Sequence, residues 1–165
     1  MSKLSTLVCV GVVFFGVFTG QARADESYKE WWDFLAGSWT WEISPLGTEG
    51  TVTWRKAAKG NACVGRFKES EGGASIETSG WRADTKTYVV MGFGSEGNFW
   101  QLESKKVTKD GYTASHVGVL PDGQSFKGTI VLKRIDDDHF TWESKGKMND
   151  GEDYTLIGKL ARKKE

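Results

Sequence analysis

From Ser38 onward the chain alternates apolar and polar residues with a period of two. Trp39, Trp41 and Ile43 interleave with Ser38, Thr40 and Glu42. Val52 and Trp54 interleave with Thr51, Thr53 and Arg55. The pattern recurs late in the chain. Phe126, Ile130 and Leu132 share a face with Gly128; Phe140 and Trp142 alternate with His139, Thr141 and Glu143; Tyr154, Leu156 and Leu160 share a face with Gly158. Successive side chains of a strand leave opposite faces of the pleat, so this alternation predicts half-buried antiparallel strands. Two stretches depart from it. Residues 88–93 are apolar on both faces, which implies that the second face meets a helix or a partner. Residues 62–69 show no readable register.

Turn chemistry punctuates these strands at short intervals: Leu46-Gly47, Lys59-Gly60-Asn61, Glu71-Gly72-Gly73, Asp84-Thr85, Ser95-Glu96-Gly97, Lys109-Asp110-Gly111, Pro121-Asp122-Gly123, Asp136-Asp137-Asp138 and Asn149-Asp150-Gly151. Regular spacing predicts an up-and-down meander with local pairing. Such a sheet must close, because long open edges invite aggregation. The expected fold is all-β: an antiparallel up-and-down barrel of about eight to ten strands, with a lumen of the size that holds side chains or one ligand. Ahead of the strands, residues 27–36 form the one good helical segment. Trp31, Phe34 and Leu35 fall on one face, Ser27 and Glu30 have capping-box spacing, and Gly37 ends the helix. A short apolar-faced helix at this place predicts a lid or plug.

Gly37-Ser38-Trp39 at the opening of the first strand, with Arg162 near the end of the last, points to a closure device. Both Trp39 and Arg162 are in register with inward apolar residues, so their expected role is structural.

The first residues have export-signal character. Lys3 supplies a positive start, residues 7–20 are apolar apart from Thr19, and Ala22-Arg23-Ala24 is an A-x-A cleavage site. The apolar run is too short for a membrane span. The expected organisation is a signal peptide over 1–24 and one domain over 25–165, exported to the periplasm or the extracellular space, with no stable membrane span after cleavage. Basic and acidic residues balance at 22 each, and removal of Lys3 and Arg23 leaves the domain slightly acidic. That gives no electrostatic case for nucleic acid. Cys63 is the single cysteine outside the signal, so no internal disulfide forms and packing alone holds the fold.

The Gly37-Ser38-Trp39 and Arg162 pair resembles the calycin superfamily of lipocalins, fatty-acid-binding proteins and nitrobindins. A narrower resemblance is to a group of uncharacterised bacterial lipocalin-like domains, often found after a SnoaL-like domain. Leu35-Ala36-Gly37-Ser38-Trp39, Gly80-Trp81, Gly94-Ser95-Glu96-Gly97, the stretch 118–123, the stretch 140–144, Asp150-Gly151-Glu152 and Arg162-Lys163 carry it. The calycin resemblance implies that Trp39 packs across the barrel floor with Arg162 over its indole. It implies a fold, with no activity to carry onto residues. A nitrobindin-like barrel would use one histidine as an axial haem ligand, and His116 is the inward candidate here; His139 follows three aspartates and is expected to face solvent. No haem or other cofactor is expected.

Eight tryptophans fit two readings, core packing and a ligand-binding lumen. By register, Trp41, Trp54, Trp100, Phe126 and Trp142 are the candidates for contact with a small apolar ligand. Other chemistry finds little footing. The two histidines lack zinc spacing. Asp136-Asp137-Asp138 lacks the alternating ligands of a calcium loop and reads as a solvated turn. Cys63 has no nearby histidine, no Gly-x-Ser-x-Gly elbow exists, and 92–97 precedes a strand rather than the helix a phosphate cradle needs. A lumen acid–base enzyme would have to draw on Glu77, Glu103 and His116. The expected function is the binding of a small apolar molecule. The alternatives are that enzyme and a surface-acting protein with a filled core, for which 88–93 offers a homodimer contact.

Overall fold

A computed structural model describes residues 27–164; the signal-peptide expectation over 1–24 lies outside the described residues. Helix α1 (Ser27–Leu35) leads into β1 (Gly37–Ser44), β2 (Thr48–Ala57), β3 (Ala62–Glu69), β4 (Ala74–Arg82), β5 (Thr87–Gly94), β6 (Phe99–Ser104), β7 (Val107–Thr108), β8 (Gly111–Val119), β9 (Ser125–Arg134), β10 (His139–Met148) and β11 (Asp153–Arg162). All pairings are antiparallel. Neighbours in sequence pair around the sheet, β11 returns to β1, and β6 pairs with β8. The result is a closed barrel of ten strands with a short N-terminal helix. The two-residue β7 stands off the ring as an edge on β8. It is the one strand that no turn signal announces, because Lys105 and Lys106 before it carry no glycine or proline.

The helix closes one end. Trp31 and Trp32 are fully buried, and Tyr28, Phe34 and Leu35 nearly so. The helix therefore buries more than the single face the spacing predicts, because it lies in the barrel end with walls on both sides. Trp31 meets Tyr112 and Phe140 edge-on. The Trp32 indole N–H donates to Ser79 Oγ and Tyr88 Oη, both at 2.9 Å. The Ser27 hydroxyl donates to the Val107 carbonyl, which ties the helix start to β7. This half of the interior is a packed aromatic core.

Trp39 and Arg162 join plug and barrel. They are direct partners in the β1–β11 pair. The Trp39 indole N–H donates to the Leu35 carbonyl at 2.8 Å. Arg162 donates to the Ala36 and Phe34 carbonyls at 2.9 and 2.7 Å. Carbonyls orphaned at a helix C-terminus thus receive donors and a cation, the favourable charge for that end of the dipole. Gly37 is required here, since it adopts φ +117° and a Cβ on it would stand 3.2 Å from Arg162 Nη1.

Strand β3 explains its unreadable pattern. Its inward positions are Cys63, Gly65 and Phe67; Gly65 is bare because the Trp54 indole fills its space. In β5, Tyr88, Val90 and Gly92 face inward, while Met91 and Phe93 are exposed. The doubly apolar stretch therefore has one core face and one bare face.

Candidate functional site

The barrel wall away from α1 is organised differently, and Trp54, which pairs with Gly37 and packs on Trp39 and Phe140, joins it to the plugged half. All five aromatic residues singled out by register point into the barrel, and each faces a glycine on the adjoining strand. The pairs are Trp41 with Gly50, Trp54 with Gly65, Trp100 with Gly92, Phe126 with Gly118, and Trp142 with Gly158. The rings lie over these glycines: a Cβ on Gly92 would fall 2.1 Å from the Trp100 ring, one on Gly158 2.1 Å from Trp142, and one on Gly65 2.4 Å from Trp54 Nε1. A ring laid flat on a glycine lines the wall; the same ring pointing inward would fill the lumen. Trp41 and Trp54 are buried, whereas Trp100, Phe126 and Trp142 remain half-buried although they face the inside of a closed barrel.

Glu77 sits in this aromatic girdle. Pairing runs Trp54–Gly65–Glu77–Gly92–Trp100 across β2 to β6, so two indoles lean over two glycines toward one carboxylate. Trp100 Nε1 donates to Glu77 Oε2 at 3.1 Å. Trp54 Nε1 lies near enough to favour the carboxylate without reaching hydrogen-bond geometry, and it and Trp41 Nε1 have no partner. Burial pushes the Glu77 carboxyl up to about 7, against the smaller opposing pull of the indole donors. No cation among the described residues contributes. Phe67 packs edge-on against Trp54, Trp41 and Trp100, with centroids at 5.4, 6.5 and 6.5 Å.

A second polar group faces the lumen. His116 Nδ1 is 2.7 Å from Ser144 Oγ, which is 3.2 Å from Tyr154 Oη. Phe126 stands edge-on to both His116 and Tyr154. Burial lowers the His116 pKa to about 4, so the imidazole is neutral near pH 7. Ser144 is completely buried, which denies a substrate access to its hydroxyl. At 7% exposed, the His116 ring offers no approach wide enough for a macrocycle, and the residues here do not fit a haem.

The structure does not bring the three acid–base candidates together. Glu77 and His116 face inward, but the His116 shift arises from burial alone, with no contribution from Glu77. Glu103 alternates with the buried Leu102 and Ser104 and faces out. Cys63 is buried and its thiol is pushed up to about 12, chiefly by desolvation, so no thiolate forms near neutrality. His139 is exposed and bonds the Asp136 carboxylate. Asp137 pairs with Arg134 and Asp138 with Arg162, so the aspartate turn answers its own charges. Among the described residues no cluster of His, Cys, Asp or Glu is arranged to hold a metal, and no helix is long and apolar enough to cross a membrane. Among the recesses are one of about 470 Å³ beside the plug, between Phe34, Arg134 and Arg162, and one of about 410 Å³ on the wall over β1, β10 and β11.

Sequence reasoning selected Trp41, Trp54, Trp100, Phe126 and Trp142 by parity. It did not single out Phe67, Ser144 or Tyr154. Ser144 and Tyr154 carried a signal, since each lies two residues from an inward neighbour, Trp142 and Leu156. Phe67 carried none, because its strand had no register.

No family model matches the chain, and no curated protein matches it. Among solved structures it is similar to designed proteins. One is a de novo fluorescence-activating β-barrel, at 18% identity, covering 79% of this chain and 95% of that one, with a TM-score of 0.41. Another is the redesigned barrel mFAP0 bound to DFHBI, at 15% identity, 78% and 99% coverage, and a TM-score of 0.40. A third, mFAP1 bound to DFHBI, has 19% identity, 81% and 99% coverage, and a TM-score of 0.37.

Proposed function

We propose that this protein is a carrier or receptor barrel that binds one small, mainly apolar molecule in the part of its lumen away from the helical plug. The half-buried Trp100, Phe126 and Trp142 supply the contact surface, with the buried Trp41 and Trp54 behind them. The observation that carries this reading is the glycine opposite each of the five. It lets a large ring lie along the wall, and it leaves three of the rings partly uncovered on the inner side of a closed sheet. Ligand sites are concave, aromatic-lined and furnished with few polar groups, which is the character of this end and not of the plugged end. Titration with fatty acids, retinoids and isoprenoids, read by tryptophan emission, tests it. A saturable shift or quench that Trp100→Ala and Trp142→Ala diminish is the expected result. Emission unmoved by every apolar probe would reject the reading.

The calycin assignment, and within it the bacterial lipocalin-like group, is part of the same proposal. It is supported by the Trp39–Arg162 closure and by the up-and-down order of strands. Export belongs with it: N-terminal sequencing of the protein recovered from the periplasm or medium is expected to begin at Asp25, and recovery of the full-length chain in the cytoplasm would oppose it.

A second reading has its own observation. Ile76, Met91 and Phe93 form an exposed apolar patch on the outer wall of β4 and β5, continued on β6 by the half-buried Phe99, and such a patch marks contact surfaces. A dimer by light scattering that Phe93→Glu converts to a monomer would favour a homodimer through this face.

A further inference from the structure

We infer that the lumen selects an organic cation: an amine with an apolar body, its ammonium held by the Glu77 carboxylate within the rings of Trp54, Phe67 and Trp100. The inference rests on the lumen reading above and adds the charge of the ligand.

Three observations lead to it. First, Glu77 is an inward carboxylate in an apolar half-barrel, and what reaches it is an indole N–H at 3.1 Å from Trp100. Carboxylates shielded from water are ordinarily paired or coordinated, yet among the described residues no lysine or arginine acts on this one. The inward-leaning cations Arg134 and Arg162 stand at the opposite end of the barrel, over Phe34, and Lys56 is engaged there by Asp33. Second, the pairing ladder puts a glycine on each side of Glu77, at Gly65 and Gly92. The indoles of Trp54 and Trp100 lie over these glycines, so the carboxylate is bordered by aromatic rings, with no aliphatic side chain on either flank. Third, the surrounding groups are π-systems. Phe67 lies edge-on to both Trp54 and Trp100, and indole and phenyl faces attract cations, most strongly when water is excluded. A carboxylate set among aromatic rings is complementary to an ammonium. A carboxylate ligand would face repulsion there, and a neutral one would leave the Glu77 charge unmatched.

The test uses three probes of one shape: 4-phenylbutylamine, 4-phenylbutan-1-ol and 4-phenylbutanoate, titrated at pH 8 into the wild type and Glu77→Gln. The expected order on the wild type is amine, then alcohol, then carboxylate, with the amine at least about tenfold tighter than the alcohol, equivalent to one charge-assisted hydrogen bond. Glu77→Gln is expected to bring amine and alcohol within about twofold of each other. Should that variant fail to fold, carbon-13 titration of the Glu77 carboxyl in the wild type decides: bound amine is expected to lower its titration midpoint, and bound alcohol is not. Equal affinity for amine and alcohol on the wild type overturns the inference and leaves the lumen reading standing. Binding of none of the three overturns both. An amine preference that persists in Glu77→Gln also overturns the inference, since the charge would then lie elsewhere.

Discussion

The guanidinium carbon of Arg162 lies 4.3 Å from the centroid of the Trp39 indole, and the two residues face each other across the β1–β11 seam. Their side chains share a task. Trp39 donates to Leu35, and Arg162 to Phe34 and Ala36, so the seam of the barrel and the end of the plug are fastened by one pair of residues. Trp39→Ala is expected to destabilise the fold by about 3–5 kcal/mol, the range for a buried large aromatic. Arg162→Ala, which leaves two helix carbonyls without donors, is expected to cost about 1–3 kcal/mol. Urea denaturation measures both, and the double mutant is expected to lose less than the sum, because the residues contact each other. Strict additivity would show that they act separately.

The aromatic–glycine pairs predict a positional effect of adding one methyl group. Gly92→Ala drives a Cβ to 2.1 Å from Trp100, whereas at Gly80 the nearest atom to a Cβ is 3.9 Å away. Gly92→Ala is expected to lose about 1–3 kcal/mol by overpacking. It also displaces the indole from Glu77 and shifts the emission maximum. Gly80→Ala is expected to stay within about 0.5 kcal/mol of the wild type. Equal stability of the two variants would contradict the wall-lining arrangement.

Glu77 and His116 act on stability in opposite senses. The carboxyl titrates near 4.5 when unfolded and about 7 when folded. Between those values the folded chain keeps a proton that the unfolded chain releases, so stability falls as pH rises, with no further change above 7. The imidazole titrates near 6.5 when unfolded and about 4 when folded. Between those values the unfolded chain takes the proton that the folded chain refuses, so stability rises with pH. Each effect is on the order of 3 kcal/mol, and the two oppose each other from pH 4.5 to 6.5. Glu77→Gln is expected to show stability rising with pH across that window, and His116→Gln the reverse. Urea midpoints at pH 4.5, 5.5 and 6.5 measure the slopes; slopes of the same sign in the two variants would refute the assignment.

Cys63 is buried with its thiol pushed up to about 12. Native protein at pH 8 is expected to alkylate at Cys63 at least about 100-fold more slowly than unfolded protein, since the thiolate is the reactive form. Mass analysis of the peptide containing Cys63 provides the measurement. Comparable rates in the two states would mean that the thiol is accessible.

Much of this architecture is local, and local patterns are readable in a chain. Alternation places Trp39, Trp41, Trp54, Phe126 and Trp142 on inward faces, the turn residues divide the strands, and the 3.6 period of 27–36 marks the plug. Parity also selected the five aromatic residues of the girdle. The pattern fails where packing between strands sets the residue. Strand β3 is unreadable because Gly65 yields its inward space to Trp54, a residue of another strand. The short β7 is unreadable because two residues, paired with β8 across Lys109-Asp110, are too few to show alternation.

The sequence by itself determined which residues face inward, because side-chain direction along a strand follows from the pleat alone. It also determined that the sheet closes, because an open meander of this length would leave long unpaired edges. The tertiary structure alone decided what each inward residue meets. Register across neighbouring strands sets that, and it depends on turn geometry and closure rather than on any one segment. Register placed a glycine opposite each of the five rings, and it placed Glu77 between two of those glycines. From this follow the half-barrel lined with aromatic faces and its carboxylate without a cation, neither of which any single strand contains.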